Sequence, residues 1–388
     1  MKETTRLTSA TLGRKNSRRA VNVAVERGST VLMESAEVLY DDDIKPTYGT
    51  DGLTTQNALC ALIADLEGAH QSFILPTGLA ALTLPIFACL SADDEILVVN
   101  STYAPVRRFL ETQMKRFGIT ARYYDPKLTA VEVLALATPA TKMIYVESPG
   151  SLTFDIQDIP GIAKLAKARG ILTLCDNTYG AGILFKPLSH GVDMAMQALT
   201  KYAGGHSDIL MGSVSVSDPK LAKKIAAAIK AFGFFTSADE SYLCLRGLRS
   251  VHLRLKQSAD SGLKVARWLQ ARPEVLSVVH PGLDSHPNHA IFARDFTGPN
   301  GLFMVMFKGD GAKQSQAFLN KLTLFGLGFS WGGYESLAVN CEPQIKGRAR
   351  LNDAPDPYLN GSAIRFYIGL EDADDLIRDI EQALSVFG

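Results

Sequence analysis

The chain has 388 residues, of which 46% are hydrophobic, and its 40 basic residues balance its 40 acidic residues. A chain of this length exceeds the size at which one hydrophobic core usually stops growing, so we expect two or more domains. The absence of net charge argues against a nucleic acid or an anionic membrane surface as the partner, and it favours small-molecule chemistry.

The five cysteines are odd in number and widely spaced, and they form neither a CxxC pair nor the spacing of a zinc site. We therefore predict buried, reduced thiols, with no disulfide framework and no metal. The first 19 residues are polar and basic, unlike a signal peptide. The longest apolar stretch, at about residues 79–90, is too short to span a bilayer. A soluble, cytoplasmic enzyme is expected.

Strand and helix patterns alternate from about residue 54 to residue 208. Thr54 and Thr55 are predicted to cap a first helix, which ends at Gly68, and Asp158 is predicted to cap a later one. The predicted buried strands lie at residues 72–75, 95–100, 143–146 and 171–175. Apolar strands separated by helices indicate a parallel sheet that is covered on both faces.

The pattern changes after about residue 216. Residues 240–269 are predicted to form one long helix that links two domains, and residues 281–301, rich in His, Pro, Asn and Gly, a long surface loop. Short strands and helices follow. The three predicted parts are an N-terminal arm at 1–53, a large α/β domain at 54–239, and the linking helix with a smaller α/β domain at 240–388.

Several polar residues follow predicted strands, which is where ligands bind in a parallel sheet. Pro76-Thr77-Gly78-Leu79 joins a strand to a helix and places free N–H groups at the helix N-terminus, although a tight structural turn would explain it equally well. Asp176 follows a strand, and taken alone it would be a helix cap. Lys201 follows another strand pattern, at 194–198, and taken alone it would be a solvated surface residue.

Together these features match the requirements of pyridoxal phosphate (PLP). This cofactor needs a lysine for a Schiff base, an anion site for its phosphate and a carboxylate that keeps its ring nitrogen protonated. Asp176 and Lys201, at the ends of neighbouring strand patterns, suit two of these roles because a nearby carboxylate favours the charged ring nitrogen. Tyr103, just past a third strand, could stack on the ring.

Three segments closely resemble motifs of the Cys/Met-metabolism family of PLP enzymes. The segments are Asp176-Asn-Thr-Tyr179, Ala198-Leu-Thr-Lys-Tyr-Ala-Gly-Gly-His-Ser-Asp208 and Ser330-Trp-Gly-Gly-Tyr-Glu-Ser336. The resemblance runs over nearly the whole chain. It implies a type I aminotransferase-like PLP fold, with a mainly parallel, seven-stranded type of sheet in the large domain and a smaller α/β C-terminal domain. It also implies a homotetramer built from tight dimers with shared active sites.

The resemblance further implies roles for individual residues. Lys201 would hold the cofactor and shuttle protons, and with Tyr103 it is a predicted catalytic residue. The predicted cofactor-binding residues are Lys201, Asp176 at the ring nitrogen, Tyr103 on the ring face, Gly78, Leu79 and Thr200 at the phosphate, and Tyr48 from the neighbouring subunit. The predicted substrate-binding residues are Arg365, which would grip the α-carboxylate, with Ser330 and Trp331.

Three features favour the branch of the family that carries out β-elimination at a carbon–sulfur bond. Trp331 fills a position that is usually aliphatic in the γ-lyases and γ-synthases, and Glu147-Ser-Pro-Gly-Ser151 resembles the β-lyase segment. Ala104 follows Tyr103 where methionine γ-lyases have a cysteine. The expected reaction converts L-cystathionine to homocysteine, pyruvate and ammonia. The alternatives are γ-elimination, a broad cysteine or cystine lyase, and a catalytically silent binding module on the same fold.

One segment departs from the family pattern of Tyr-x-Arg, in which the arginine reaches the partner's phosphate. Here Tyr48-Gly49-Thr50 carries a threonine at that position, and Asp51 adds a negative charge beside it. A hydroxyl can donate one hydrogen bond, but it does not supply the bidentate, charged contact of a guanidinium. Our hypothesis is that PLP is retained more weakly than usual, or that another cation, such as an N-terminal arginine, compensates.

Overall fold

A computed structural model describes residues 1–9, 20–41, 44–309, 311–351 and 356–387. Part of the predicted N-terminal arm, residues 10–19, lies outside these ranges, as do the arginines there that could compensate for Thr50. The α-helices of the described residues are α1 (Glu3–Ser9), α2 (Thr54–Glu67), α3 (Gly78–Cys89), α4 (Ala104–Phe109), α5 (Ala130–Ala135), α6 (Ile159–Ala168), α7 (Pro219–Phe232), α8 (Ala238–Leu248), α9 (Val251–Gln270), α10 (His289–Asp295), α11 (Ala312–Lys321), α12 (Glu342–Lys346) and α13 (Ala373–Ala383).

The strands form two sheets. The strands of the described residues are β1 (Gln71–Leu75), β2 (Glu95–Val99), β3 (Thr120–Tyr124), β4 (Thr141–Glu147), β5 (Leu172–Asp176), β6 (Met194–Gln197), β7 (Gly212–Val216), β8 (Val275–Val279), β9 (Leu302–Phe307), β10 (Gly326–Leu327), β11 (Leu337–Asn340) and β12 (Ser362–Tyr367).

The first sheet of the described residues has seven strands in the order β1-β7-β6-β5-β4-β2-β3. Neighbours from β3 to β6 run parallel, whereas β7 is antiparallel to both β6 and β1. Every residue of β2, β6 and β7 is buried, as expected for strands covered by helices on both faces. The predicted α/β class, with its mainly parallel seven-stranded sheet, is confirmed.

The second sheet, in the C-terminal part, has five described strands in the order β10-β11-β12-β9-β8. Side chains alternate along β12, so that Ile364 and Phe366 enter a core of their own, while Ala363 and Tyr367 join the core of the large sheet. Arg365 has the same parity as Ala363 and Tyr367. The period of two therefore directs Arg365 toward the large sheet.

The start of α2 differs from the prediction. The structure places Leu53 at the N-cap, with Thr54 and Thr55 inside the first turn. Glu26 of the arm supplies the cap instead, because its carboxylate accepts a hydrogen bond of 2.9 Å from the Thr54 N–H. Thr55 Oγ1 in turn accepts from the Glu26 N–H at 2.9 Å. Gly68 ends the helix as predicted, at φ +66°.

The single long helix predicted at 240–269 is wrong, because the structure contains two helices there, α8 and α9. The break falls at Ser250, whose dihedral angles (φ −112°, ψ 5°) are not helical. Its hydroxyl accepts a hydrogen bond from Arg254 Nε at 3.2 Å. A serine side chain that bonds locally competes with helix formation, which the apolar periodicity does not reveal.

The surface loop predicted at 281–301 is wrong in part. It contains α10, and Phe292 and Phe296 are buried and stack on each other with ring centroids 4.7 Å apart. Both rings also meet Tyr179 edge-on, at 6.5 Å and 6.2 Å. The polar composition of this segment concealed two aromatic residues at helical spacing.

The five cysteines are free thiols, three of them buried and two partly buried. None of the described helices has the length and apolar character that a membrane crossing requires.

Candidate active site

The carboxyl ends of β4, β5 and β6 meet at one edge of the large sheet and bring the predicted site residues together. Glu147 is the last residue of β4, and it pairs in register with Asp176, the last residue of β5. Asp176 pairs in turn with Met196 of β6, after which the chain turns to Lys201. Asp176 and Lys201 therefore lie at the ends of adjacent parallel strands, as the alternating pattern predicts.

Lys201 is held by the C-terminal part of the chain. Its Nζ donates a hydrogen bond of 2.6 Å to Ser330 Oγ and lies 5.8 Å from the centre of the Trp331 ring. Burial and the positive charge of Arg365 together lower the pKa of the Lys201 amine to about 8, against the opposite effect of Asp176. A partly buried lysine beside another cation gives up its proton more readily than a surface lysine.

Ser330 links the lysine to Arg365 through a strained backbone. Its φ of +87° lies in the left-handed region, which a residue with a Cβ rarely adopts. In this conformation its carbonyl oxygen accepts a hydrogen bond of 2.8 Å from Arg365 Nη2. Gly332, at φ +88°, permits close approach, because a Cβ there would lie 3.0 Å from the Lys201 carbonyl carbon.

Arg365 carries an unused donor. Its Nε is buried and has no hydrogen-bond partner among the described residues. Burial lowers the pKa of the guanidinium, but the group stays charged in proteins. A buried cation with an orphan N–H is costly unless a ligand satisfies it, and a carboxylate fits the guanidinium fork.

Asp176 is fixed by Thr178. The Thr178 N–H and hydroxyl donate to Asp176 Oδ1 at 2.9 Å and 2.6 Å. These are the hydrogen bonds that the described residues give to this carboxylate, so Oδ2 is left for another donor. Burial raises the pKa of Asp176, while Thr178 and the charge of Lys201 favour the ionised form.

Gly78 and Leu79 begin α3, directly after the N-cap Thr77. Neither of their N–H groups donates to another described residue, as expected in the first turn of a helix. A Cβ on Gly78 would lie 2.6 Å from the Ala198 Cβ, so glycine lets this turn approach the segment that leads to Lys201. The result is a small anion cradle.

Thr200 is engaged elsewhere. Its hydroxyl donates to the Met211 carbonyl at 3.1 Å and accepts from the Met211 N–H at 2.9 Å. The side chain therefore connects the loop that carries Lys201 to the start of β7. To donate to a phosphate, the hydroxyl would have to give up its hydrogen bond to the Met211 carbonyl.

Tyr103 lies between β2 and α4, and its side chain is 41% exposed. Its N–H donates to Glu147 Oε2 at 2.8 Å. Tyr48 is 51% exposed, and Thr50, two positions later, is exposed as well. Asp51 is occupied locally, since Oδ2 accepts from the Thr47 N–H and hydroxyl, both at 2.8 Å.

Two residues of the site had no assigned role in the sequence. Thr178 stands two positions after Asp176, the spacing at which an aspartate commonly accepts a backbone N–H, so the local sequence contained the signal. Glu147 was noted for its segment, but no sequence signal placed its carboxylate against Tyr103.

The residues present fit PLP. A partly buried lysine can hold the cofactor, the free oxygen of Asp176 can face the ring nitrogen, and the open N–H groups of Gly78 and Leu79 can donate to the phosphate. The orphan Arg365 Nε remains for a substrate carboxylate.

Comparisons with known proteins agree with this fit. A model of the family of Cys/Met metabolism PLP-dependent enzymes matches residues 4–385. A chain of Rhizobium johnstonii is 42% identical over 94% of this chain and 91% of its own length. The cystathionine β-lyase of Bordetella avium is 37% identical over 94% of this chain and 92% of its own, and the cystathionine γ-lyase of Mus musculus is 36% identical over 87% and 84%.

The solved structures agree as well. The crystal structure of metB from Corynebacterium glutamicum superposes with a TM-score of 0.91 at 28% identity, and the match covers 100% of this chain and 99% of that one. Fold, site residues and the family match over nearly the whole length point to one assignment. The chain belongs to the Cys/Met metabolism PLP-dependent enzymes, and its cofactor is PLP.

Proposed function

We propose that the protein is a carbon–sulfur β-lyase that converts L-cystathionine to homocysteine, pyruvate and ammonia. The observation that carries the proposal is the partly buried Lys201 amine, which bonds Ser330, lies 5.8 Å from the centre of the Trp331 ring and is influenced by both Arg365 and Asp176. The similarity to the cystathionine β-lyase of Bordetella avium supports the same reaction.

Each residue has a defined task in this reaction. Arg365 binds the substrate α-carboxylate through Nε and Nη2, which orients the α-proton toward Lys201. Bound PLP supplies the electron sink for the negative charge that develops at the α-carbon. Lys201 holds the cofactor, takes the α-proton at Nζ and can return it to the leaving sulfur, and its lowered pKa suits both directions. Loss of the β-carbon–sulfur bond releases homocysteine, and hydrolysis of the remaining three-carbon unit yields pyruvate and ammonia.

The cofactor contacts follow from the same geometry. Asp176 keeps the ring nitrogen protonated through Oδ2, and Thr178 holds it in place. Tyr103 covers the ring face, and its exposed ring is free to do so. Gly78 and Leu79 bind the phosphate through their N–H groups, and Thr200 joins them after exchanging a bond with Met211.

The wider organisation is part of the proposal. Residues 54–239 form the PLP-binding domain, 240–388 the linking helices with the C-terminal domain, and 1–53 an arm that brings Tyr48 to a neighbouring subunit. A homotetramer of this kind gives the exposed Tyr48 ring a partner. The five free cysteines fit a reducing compartment, so we place the enzyme in the cytoplasm.

A γ-lyase is the second candidate, because the mouse relative with that activity is almost as similar as the Bordetella β-lyase. Trp331 beside Lys201 argues for the β reaction, since the position is usually aliphatic in γ-type enzymes. A broad cysteine or cystine lyase would use the same residues. A silent binding module is disfavoured because Lys201, Asp176 and Arg365 are all in place.

The test is to incubate PLP-loaded protein with L-cystathionine and to identify the keto acid, with Lys201→Ala as the control. Pyruvate with homocysteine, absent from the control, is the expected result. 2-Oxobutyrate with cysteine would assign the chain to the γ reaction. No keto acid from a protein with bound PLP would contradict both candidates.

A further inference from the structure

Glu147 is a buried carboxyl group to which the proposed reaction assigns no task. It ends β4 directly opposite Asp176, the last residue of β5. Paired residues of parallel strands project to the same face of a sheet, so the two carboxyl groups are neighbours. Both are buried.

The contacts of Glu147 point toward the cofactor side of the site. Its Oε2 accepts a hydrogen bond of 2.8 Å from the Tyr103 N–H and one of 3.1 Å from the Tyr145 hydroxyl. The Tyr103 N–H donates to no other acceptor among the described residues. The hydrogen bond to Glu147 therefore holds the backbone of Tyr103 in place, and with it the position from which the Tyr103 ring projects.

The segment after Glu147 strengthens this anchor. The Ser151 N–H donates to the Ser101 carbonyl at 2.8 Å, two residues before Tyr103. A Cβ on Gly150 would lie 2.3 Å from Ser101 Oγ, so glycine allows the two segments to touch. The segment after β4 and the turn after β2 thus form one packed unit.

The pair of carboxyl groups holds one negative charge more easily than two. Burial raises the pKa of Glu147, and the charge of Asp176 raises it further; the Tyr103 N–H, the Tyr145 hydroxyl and the charge of Arg348 act in the other direction. Asp176 receives two hydrogen bonds from Thr178 and feels the charge of Lys201, all of which favour its ionised form. When two neighbouring carboxyl groups have unequal surroundings, one keeps its proton and the other is ionised. Here Glu147 keeps the proton and Asp176 carries the charge.

We propose that Glu147 is a positioning residue of the cofactor site, a neutral carboxyl group that anchors the peptide of Tyr103 and leaves the negative charge of the pair on Asp176. The proposal deepens the proposed function and rests on its placement of Tyr103 on the ring. A neutral carboxyl group keeps the acceptor that Tyr103 needs without adding a second charge beside the ring nitrogen.

The test compares holoenzymes of Glu147→Gln, Glu147→Ala and the control Asp155→Asn, which alters another buried carboxylate whose pKa is raised by burial and which bonds Thr153. The readouts are the dissociation constant of PLP and the pH midpoint at which the absorbance of the bound cofactor changes. Glutamine keeps a neutral acceptor, so both readouts should stay within about threefold and about half a pH unit of the wild type. Alanine removes the acceptor, and PLP should bind roughly tenfold more weakly.

Two results would overturn the proposal. A Glu147→Gln midpoint lower by about one unit or more would mean that a negative charge had been removed, because a nearby anion raises the pKa of a cationic group. An Ala variant that binds PLP as tightly as Asp155→Asn would show that the anchor has no effect on the cofactor. Neither readout uses the lyase reaction, so a failure of the proposed function would appear separately, as a wild type that makes no pyruvate.

Discussion

Ser330 shows how one residue can store strain where chemistry needs it. With its left-handed backbone, Oγ contacts Lys201, which follows β6 of the large sheet, and the carbonyl oxygen contacts Arg365, which lies in β12 of the second sheet. A β-carbon in this region costs roughly 1–3 kcal/mol, which the rest of the fold must offset. Such strain is common at active sites.

Replacing Ser330 by glycine and by alanine separates the strain from the hydrogen bond. Both variants lose the contact with Lys201, so kcat/KM should fall about tenfold in each. Only glycine relieves the backbone, and it should therefore leave the protein about 1 kcal/mol more stable than alanine does. Urea unfolding of the two variants measures the difference. An alanine variant as stable as the glycine variant would show that the backbone is unstrained.

Substitution of Thr50 tests whether the arginine of the family pattern is needed for tight PLP binding. Thr50→Arg restores a bidentate, charged donor, and PLP should bind roughly tenfold or more tightly if that contact is the one the protein lacks. Thr50→Gln, which has length without charge, is the control and should change little. The PLP dissociation constants decide the matter. A wild type that binds PLP more tightly than Thr50→Arg would remove the hypothesis of weak retention.

Glu67 connects three elements beneath the site. It ends α2, and it is the shared acceptor of the amides of Asn177, after β5, and Gln197, at the end of β6. Burial raises the pKa of Glu67 to about 7, against the hydrogen bonds of both amides. Asn177 Oδ1 is buried without a hydrogen-bond partner among the described residues.

This arrangement predicts a pH-dependent stability. A carboxyl group whose pKa is raised on folding contributes stability that is present below about pH 4.5, its unfolded pKa, and is lost as the pH rises through about 7. Between about pH 4.5 and pH 8 the wild type should lose roughly 3 kcal/mol more than Glu67→Gln, which cannot ionise. Unfolding free energies at the two pH values, at one protein concentration, provide the check. If the wild type and Glu67→Gln lost the same unfolding free energy between the two pH values, the pKa of Glu67 would not be raised by folding.

Helix α8 packs closely against the loop that carries Lys201, and the contact is made at Gly247. A Cβ on Gly247, in α8, would lie 2.3 Å from the carbonyl oxygens of both Ala203 and Gly204. These backbone atoms cannot swing away as a side chain could. The approach of α8 to the loop that carries Lys201 therefore depends on this glycine.

Gly247→Ala should cost about 1–3 kcal/mol of unfolding free energy and weaken PLP binding, because the loop must move. Gly298→Ala is the matched control, since nothing lies within 4 Å of its added Cβ, and it should change stability little. Melting temperatures and PLP affinities of the two variants test the contrast. Equal behaviour of both would contradict the packing argument.

At the scale of the whole molecule, the proposed site takes most of its residues from one chain and Tyr48 from a neighbouring subunit. Lys201, Asp176 and Arg365 come together within one chain, whereas Tyr48 stands on an exposed arm. An exposed tyrosine ring of this kind fits a site shared between two subunits.

Mixing two impaired variants tests the shared site. If Tyr48 serves the neighbour, mixed dimers of Lys201→Ala with Tyr48→Ala contain one site in which both residues are intact. Activity should rise above the average of the parents, to at most about a quarter of the wild-type value for equal, random assortment. Lys201→Ala mixed with Asp176→Ala is the control, because both residues come from one chain. No recovery in the first mixture would place Tyr48 outside the partner's site.

Much of this protein was predictable because the relevant signals are local. The alternation of apolar strands and helices determined the parallel sheet, and the positions of Asp176 and Lys201 after neighbouring strands determined where the site would lie. The motif around Lys201 indicated the family, which the match over residues 4–385 confirms. Backbone geometry and hydrophobic period depend mainly on residues close in sequence, so a single chain reveals them.

Only the tertiary structure decided the rest. The contact of Lys201 with Ser330 joins residues 129 positions apart, and the buried face of α10 arises from packing against Tyr179 of the large domain. Glu147 acquires its place beside Tyr103 because β2 and β4 are neighbours in the sheet. Contacts between distant segments depend on the shapes of both surfaces and on the burial of their polar groups, which no local pattern records.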